Sequence, residues 1–352
     1  MDAGALLPRV HEFASRLNGS KEQAGAAGIT WYGFPTLSVF SILDGLLSGP
    51  YRDLRYLISS QPVLDLGCGD GDLTLWLSHL GFDVDAVDNP GTNANRMEGV
   101  RYLTRLVNSP AHVHECDLDR LQSLPRSRYG LAVFLGVLYH LKNPYFALEQ
   151  LASVCDYALI STRVIEGGQP MAYLVDPGEL NADETNYWLL TPAGLERLLR
   201  RAGFEVISSV RAGAAADADA ALADGRMYVL ARSLRTAPSA VRLLEGWYAA
   251  EPAGFRWTGG HFSFTGPSGA RRLILRFVLT MERVLLRGTV NGRPLPAAEF
   301  TGAGDHEYAV PLESPSEIPV VELRLDQTFR PPAPDQRELG IAVATAGGVQ
   351  FT

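Results

Sequence analysis

Ten consecutive residues, Val63-Leu64-Asp65-Leu66-Gly67-Cys68-Gly69-Asp70-Gly71-Asp72, carry the first sign of chemistry. An apolar run gives way to alternating glycines. Glycine lets the chain turn sharply and lets a ligand approach the backbone with no Cβ in the way. A dinucleotide loop, G-x-G-x-x-G, would place its third glycine at position 72 when Gly67 is the first, and position 72 is Asp. A pyrophosphate at a helix N-terminus wants donors and positive potential. This loop offers Asp65, Asp70 and Asp72, with no Lys or Arg nearby. Such carboxylates repel phosphates and suit a ligand bearing an ammonium and a sulfonium. The pattern therefore favours S-adenosylmethionine, leaving as S-adenosylhomocysteine, over NAD.

Further acids and one histidine follow at informative positions. Asp88 ends Val84-Asp85-Ala86-Val87-Asp88-Asn89, about 20 residues past the glycines, where a carboxylate can accept from both hydroxyls of a ribose. Asp117, in His114-Glu115-Cys116-Asp117-Leu118, is placed either to accept from an adenine amino group or to act as an ordinary turn residue. Leu131–Leu135 then runs into Gly136-Val137-Leu138-Tyr139-His140-Leu141. In open α/β sheets ligands sit beyond the carboxyl ends of the strands, so this edge faces the reacting group. Methyl transfer is an in-line displacement and gains most from alignment. A hydroxyl acceptor also needs a proton acceptor, for which His140 is the candidate, with Tyr139 orienting the ligand. A histidine that merely stabilises the loop is the competing reading. Two aromatic groups, Trp31-Tyr32 within Trp31–Pro35 and Tyr187-Trp188 before Thr191-Pro192, are candidates for a lid and an acceptor pocket, or for packing anchors.

The elements that must position these residues are legible from periodicity. Val10, Phe13 and Leu17 mark one helix, and Leu37 to Leu47 a second, ended near Gly49-Pro50. Strands are expected at Val63–Leu66, Val84–Val87, His112–Glu115, Leu131–Leu135 and Tyr157–Thr162. Helices are expected near Leu73–Leu80, Asn95–Val107, Pro144–Val154 and Pro192–Ala202. This alternation predicts a Rossmann-like, mostly parallel, seven-stranded sheet with helices on both faces. Glu205–Val210 and Met227–Ala231 would close its edge, joined by a flexible loop over 212–225. After about Ala237 the texture changes to Gly, Pro and short alternating runs: Phe262–Phe264, Leu273–Leu279, Val284–Val290 and Val320–Leu325. Asn291-Gly292 signals a tight hairpin, and the whole predicts an antiparallel β-sandwich. The expected divisions are a helical extension or lid at 1–60, an α/β domain at 61–236 and an all-β domain at 237–352.

Composition bounds the function classes. The 352 residues are 46% hydrophobic and 20% charged, ordinary for a globular chain of two domains. No apolar run is long enough to cross a bilayer, and the start lacks a basic region followed by an apolar block, so neither membrane insertion nor export is expected. Cys68, Cys116 and Cys155 are odd in number and lack CxxC spacing. Disulfides and a metal site are not expected, and a reducing cytoplasm fits. The net charge of −8, from 39 acidic and 31 basic residues, leans away from nucleic acid, although a local basic patch leaves tRNA open.

Taken as a set, Val63–Asp72, Asp88, Asp117 and Gly136–His140 resemble the class I S-adenosylmethionine-dependent methyltransferases. Leu135-Gly136-Val137-Leu138-Tyr139-His140-Leu141-Lys142-Asn143-Pro144 looks like the tRNA wobble-uridine carboxymethyltransferase family and its methyltransferase relatives. The resemblance implies cofactor contacts from Asp65, Gly67, Cys68, Gly69, Asp88, Asn89, Asp117, Leu118, Leu135 and Gly136. It also implies that Tyr139 would help hold the extra carboxylate of carboxy-S-adenosylmethionine, were that the donor. The basic residues that family uses outside this motif to bind the carboxylate have no equivalent recognisable in the sequence, and the family lacks a tail like 240–352. The tail is loosely similar to β-sandwich modules of bacterial polysaccharide-modifying enzymes. Three functions follow as expectations. The first is methyl transfer to a hydroxyl or related nucleophile on a small molecule or glycan. The second is carboxymethylation of tRNA. The third is a non-catalytic glycan-binding or scaffold protein that keeps its cofactor.

Overall fold

Along the strand Tyr129–Leu135, Leu131, Val133 and Leu135 line one apolar seam, while Ala132 and Phe134 join a second core on the other side. Successive side chains of a strand point to opposite faces, so a strand buried throughout needs a cover on each. The computed structural model supplies both, and it describes residues 2–24, 28–59, 61–121, 124–212, 224–236, 241–313 and 318–352. The chain divides into two compact units, Met1–Pro238 and Ser239–Thr352.

The strands of the first unit are β1 (Val63–Leu66), β2 (Val84–Asp88), β3 (His112–Glu115), β4 (Tyr129–Leu135), β5 (Cys155–Ile165), β6 (Ala172–Leu174), β7 (Trp188–Leu190), β8 (Phe204–Ala212) and β9 (Asp224–Ser233). Five run parallel in the order β3-β2-β1-β4-β5. β9 is antiparallel to both β5 and β8, so the late pair extends the sheet with β8 at its edge. This makes the seven expected strands. The short antiparallel pair β6–β7, attached to the end of β5 through Val164 and Leu190, brings the sheet to nine. The three-residue strands are too short to leave a periodic signal. Most of the segment read as a connecting loop, 213–223, lies outside the described residues, as does 237–240, where the second unit was expected to begin.

The helices are α1 (Leu7–Gln23), α2 (Val39–Leu46), α3 (Leu54–Ile58), α4 (Asp72–His79), α5 (Glu98–Leu106), α6 (Pro144–Val154) and α7 (Pro192–Ala202). α6 and α7 bury Leu148, Leu151, Leu195 and Leu199 in the core that holds Ala132 and Phe134. Phe40 and Leu43 of α2, Leu54 of α3 and Leu73 and Leu77 of α4 meet Leu131 and Val133 across the sheet. The N-terminal helices thus share the unit of the sheet. α7 starts as its sequence directs: Thr191 caps it by accepting from Gly194 N–H at 3.2 Å, and Pro192 occupies the first turn.

Among the described residues the second unit has twelve strands: β10 (Arg242–Leu243), β11 (Trp247–Ala250), β12 (Phe255–Thr258), β13 (His261–Thr265), β14 (Arg272–Leu279), β15 (Arg283–Val290), β16 (Arg293–Pro294), β17 (Ala298–Thr301), β18 (Gly304–Pro311), β19 (Val320–Leu325), β20 (Ala342–Ala344) and β21 (Val349–Phe351). They form two six-stranded antiparallel sheets, β10-β13-β19-β15-β16 with β17 on β15, and β11-β12-β20-β14-β18 with β21 on β14. Phe262, Phe264, Leu286 and Leu323 of the first share one core with Leu273, Leu275, Phe277 and Val310 of the second, which makes the unit a sandwich. Asn291 and Gly292 both take positive φ, +49° and +78°, and turn β15 into β16. Trp247 packs on Phe262 and donates to Ser263 O at 2.7 Å, while Trp257 packs between Phe255 and Phe329. These tail tryptophans serve packing.

A Cβ on Gly130 would collide with the carbonyl of Ile58, the last residue of α3, whereas one on Gly19 in α1 meets nothing within 4 Å. Gly130→Ala is expected to destabilise the first unit by about 1–3 kcal/mol, and Gly19→Ala to stabilise it by about 0.5–1 kcal/mol. Urea titrations of the two variants check the opposite signs.

Candidate active site

The turn after β1 is built by its glycines. Gly67, Gly69 and Gly71 have φ of +78°, +56° and +85°, a region that side chains with a Cβ rarely adopt. A Cβ on Gly67 would run into the Val137 side chain, and one on Gly71 would lie 2.5 Å from Val100 Cγ2. Gly67 N–H and Cys68 N–H donate to Val87 O at 2.8 and 3.3 Å, which ties the turn to β2. At the end of β2, Asp88 Oδ2 accepts from Gly69 N–H and Asn93 Nδ2, both at 2.9 Å, and Oδ1 accepts from Asn89 N–H at 2.7 Å. Asp88 therefore fixes the turn, and its Oδ1 keeps capacity for a further donor.

The remaining carboxylates are also buried and held. Asp65 accepts from Thr74 Oγ1 at 2.6 Å. Asp70 accepts from Tyr32 N–H at 2.9 Å and from Asn95 Nδ2 at 2.8 Å. Lys21 of α1 pairs with both Asp70, at 3.1 Å, and Asp72, at 2.7 Å. The loop is thus not free of basic residues, as its sequence neighbourhood suggested. A lysine some fifty positions earlier reaches it from the N-terminal helix and offsets charge that burial alone would penalise. Burial still pushes the carboxyls of Asp72 and Asp88 above their ordinary values and holds Asp65 at about 6, against the Thr74 hydrogen bond. It also pushes the Cys68 thiol well up, leaving an inert wall.

One cavity of about 890 Å³ joins this loop to the end of β4, within the usual range for small-molecule sites. Asp65, Gly67, Cys68, Gly69, Asp88, Asn89, Asp117, Leu118, Leu135, Gly136, Tyr139, His140, Tyr32 and Tyr187 all line it. Trp31 and Trp188 do not. Trp31 packs on Tyr102 and lies beneath Lys21 Nζ, while Trp188 donates to Lys142 O at 3.3 Å. Both are packing anchors, the common fate of a large aromatic. Asp117 is exposed, accepts from Asp119 N–H at 3.1 Å and pairs with Arg120, the turn role weighed above. Tyr32 lies over the loop: its hydroxyl accepts from Ala94 N–H at 2.9 Å and its ring is 3.8 Å from the place of a Gly69 Cβ.

His140 ends a 3-10 turn, Leu138–His140, that follows β4. Its Nδ1 is 2.9 Å from Thr185 Oγ1 and 3.1 Å from Thr185 O. Thr185 Oγ1 donates in turn to Asp183 at 2.6 Å. The hydroxyl proton is committed to Asp183, and a carbonyl oxygen only accepts, so Nδ1 carries the proton and Nε2 is left as the basic nitrogen. Burial, helped by Arg163 and Arg226, pulls the His140 pKa below the usual imidazole value and keeps the ring neutral at pH 7. Among the described residues, no group of three His, Cys, Asp or Glu is placed to hold a metal, and no helix is long and apolar enough to cross a membrane.

Lys21, Asn93, Arg163, Thr185 and Arg226 belong to the site and were not singled out from sequence. Arg163 and Arg226 flank Tyr139, with guanidinium carbons 5.7 and 5.6 Å from its ring centre. Each lies one residue beyond the strand limits that apolar periodicity gives, Tyr157–Thr162 and Met227–Ala231. A charge at the carboxyl end of the buried β5, for Arg163, and at the start of the antiparallel β9, for Arg226, was the available signal.

Residues 42–209, just under half the chain, match the family model described as a methyltransferase domain. The match makes this region similar to methyltransferase domains, in keeping with its sheet order and glycine turn. The buried carboxylates and the side-chain-free glycine turn fit a cation such as S-adenosylmethionine. Similar solved structures include EvdMO1 (15% identical, covering 76% of this chain and 87% of that one, TM-score 0.38). An S-adenosylmethionine-dependent methyltransferase from Mesorhizobium loti is 17% identical over 55% of this chain and 97% of its own, with a TM-score of 0.40. Coclaurine N-methyltransferase is 14% identical over 50% and 68%, with a TM-score of 0.40. No curated protein matches the sequence.

The raised pKa of Asp65 gives a testable sign. Below about pH 6 the carboxyl keeps its proton, and a ligand ammonium gains only when it is lost. Affinity for S-adenosylhomocysteine should climb from about pH 5 to about pH 7 and then level. Calorimetry across that range checks it, and Asp65→Asn should flatten the climb.

Proposed function

We propose that this chain transfers a methyl group from S-adenosylmethionine to a hydroxyl or related nucleophile of a small molecule or glycan, with His140 as the proton acceptor. The observation that carries the reading is the chain His140 Nδ1–Thr185 Oγ1–Asp183, which turns a neutral, basic imidazole nitrogen to use at the cavity shared with the cofactor loop. Bound there, S-adenosylmethionine supplies an electrophilic methyl carbon on a sulfonium. The protein's own residues do the rest. Asp88 accepts from the ribose hydroxyls, and Asp65 with the Gly67–Gly69 backbone holds the amino-acid end. Asp117, Leu118 and Asn89 border the base, and Leu135 and Gly136 form the floor. Tyr32 closes the loop from above as part of a lid contributed by residues 1–60, and residues 61–236 form the domain it covers. Tyr139 and Tyr187 orient the acceptor, while His140 Nε2 receives the hydroxyl proton.

A second reading, transfer of a carboxymethyl group from carboxy-S-adenosylmethionine to tRNA, gains from one observation. The two arginines beside Tyr139 are of the type that would hold a donor carboxylate. The net charge of −8 weighs against the RNA half of that reading. Mass spectrometry of the copurified cofactor, with salt-dependent RNA binding, separates the two.

His140→Ala should lower turnover with an identified acceptor by about 10²- to 10⁴-fold, while leaving affinity for S-adenosylhomocysteine within about twofold. The acid limb of the pH–rate profile should fall below the ordinary imidazole pKa. Unchanged turnover in His140→Ala would remove the histidine from the chemistry. Asp88→Ala should weaken S-adenosylhomocysteine at least about tenfold, since hydrogen bonds to a charged group are worth about 1.5–3 kcal/mol.

A further inference from the structure

The register of the sheet places two arginines where a sheet ordinarily avoids them. Arg163 of β5 and Arg226 of β9 are direct cross-strand partners in an antiparallel pair, and like charges directly opposite each other are destabilising. Both turn the same way. Their guanidinium carbons stand over the ring of Tyr139, both side chains line the cavity, and Arg226 Nη2 donates to the Tyr139 hydroxyl at 3.5 Å. Arg226 Nη1 lies 3.2 Å from the place of a Gly136 Cβ, directly over the end of β4. Arg163 lies beside the Asn181 amide, which satisfies both of its atoms when its oxygen is turned to accept from the guanidinium. Arg226 also stands over the ring of Phe34 at 5.6 Å, and it pairs with no carboxylate among the described residues.

The charges of the cavity are unevenly spread. Asp65, Asp70, Asp72 and Asp88, with Lys21, lie at the cofactor loop, whereas Arg163 and Arg226, with Asp183, gather at the wall beside Tyr139 and His140. Asp183, near that wall, already accepts from Thr185 and does not reach Arg226. An arginine fork with a tyrosine hydroxyl matches the geometry of a carboxylate or phosphate, each oxygen taking an N–H or O–H donor. We propose that the acceptor is an anion, carrying a carboxylate or phosphate that docks on Arg226, Arg163 and the Tyr139 hydroxyl, with its reacting hydroxyl towards His140. This rests on the methyl-transfer reading. It makes Arg226 a specificity-determining residue: it selects charged acceptors over their neutral counterparts, which would leave the Arg226 guanidinium facing no carboxylate or phosphate.

The probe is inorganic phosphate, titrated into protein saturated with S-adenosylhomocysteine, with the His140 ring followed by NMR. Arg163, Arg226, Asp183 and Thr185 are the groups that face this ring. Saturable phosphate binding should raise the His140 pKa. Arg226→Gln should weaken phosphate at least about tenfold, the loss expected for a charge-assisted pair, with S-adenosylhomocysteine affinity unchanged as the measure of an intact fold. Arg226→Lys keeps the charge and should retain more phosphate affinity than Gln, and it carries the test if the Gln variant no longer binds S-adenosylhomocysteine. No saturable phosphate effect, or equal phosphate binding by Arg226→Gln, overturns the proposal. So does a carboxy-S-adenosylmethionine complex that excludes phosphate and depends on Arg226 when S-adenosylmethionine does not, because the anion would then belong to the donor. Failure of the wild-type protein to bind S-adenosylhomocysteine would instead overturn the methyl-transfer reading itself.

Discussion

Four carboxylates, Asp65, Asp70, Asp72 and Asp88, are buried within reach of one backbone turn. Everything in the first unit is arranged around that concentration of negative charge. An isolated buried carboxylate is costly, and here each is given donors: Thr74, Tyr32 N–H and Asn95, Lys21, and the Gly69 and Asn89 backbone with Asn93. The donors come from far apart in sequence, so satisfying the turn recruits α1, the loop around Tyr32 and the segment before α5 into one body. Burial nonetheless leaves Asp65, Asp72 and Asp88 with raised pKa values. The turn is in this sense incomplete without a cation, and S-adenosylmethionine brings an ammonium and a sulfonium.

The opposite wall of the same cavity has the reverse character. Burial, with two opposed arginines beside Tyr139, opposes protonation of His140, and the Thr185–Asp183 chain fixes which nitrogen carries its proton. A neutral, oriented base next to a cationic wall is suited to receive a proton from a hydroxyl whose parent molecule is negatively charged. The glycine at 136 matters for the same reason. With φ of +75° and no Cβ, it lets β4 turn aside beneath the Arg226 guanidinium.

How much of this was legible from sequence follows from range. The glycine turn, Asp88 and the Gly136–His140 edge are local patterns, fixed by backbone conformation at strand ends, and the sequence displays them directly. The parallel order of β1 to β5 follows from alternation of strand and helix. The Asn291-Gly292 hairpin follows from two residues that tolerate positive φ. Contacts between residues far apart in the chain leave no such trace. Lys21 reaches Asp72 only after α1 packs against α4, and Arg163 meets Arg226 only because β9 inserts between β5 and β8. The aromatic pairs divide on the same ground. Tyr32 and Tyr187 line the cavity while their neighbours Trp31 and Trp188 turn away to pack, and composition gives no means of telling adjacent aromatics apart.

The central claim is that the buried carboxylates and the glycine turn form a site for a cationic adenosyl cofactor. Isothermal calorimetry of the purified full chain with S-adenosylmethionine and, in parallel, with NAD tests it most directly. The account predicts saturable one-to-one binding of S-adenosylmethionine that persists at high salt, because the interacting carboxylates are buried and little screened, and no binding of NAD, whose pyrophosphate meets Asp70 and Asp72. Binding of NAD in preference to S-adenosylmethionine, or of neither, would contradict it.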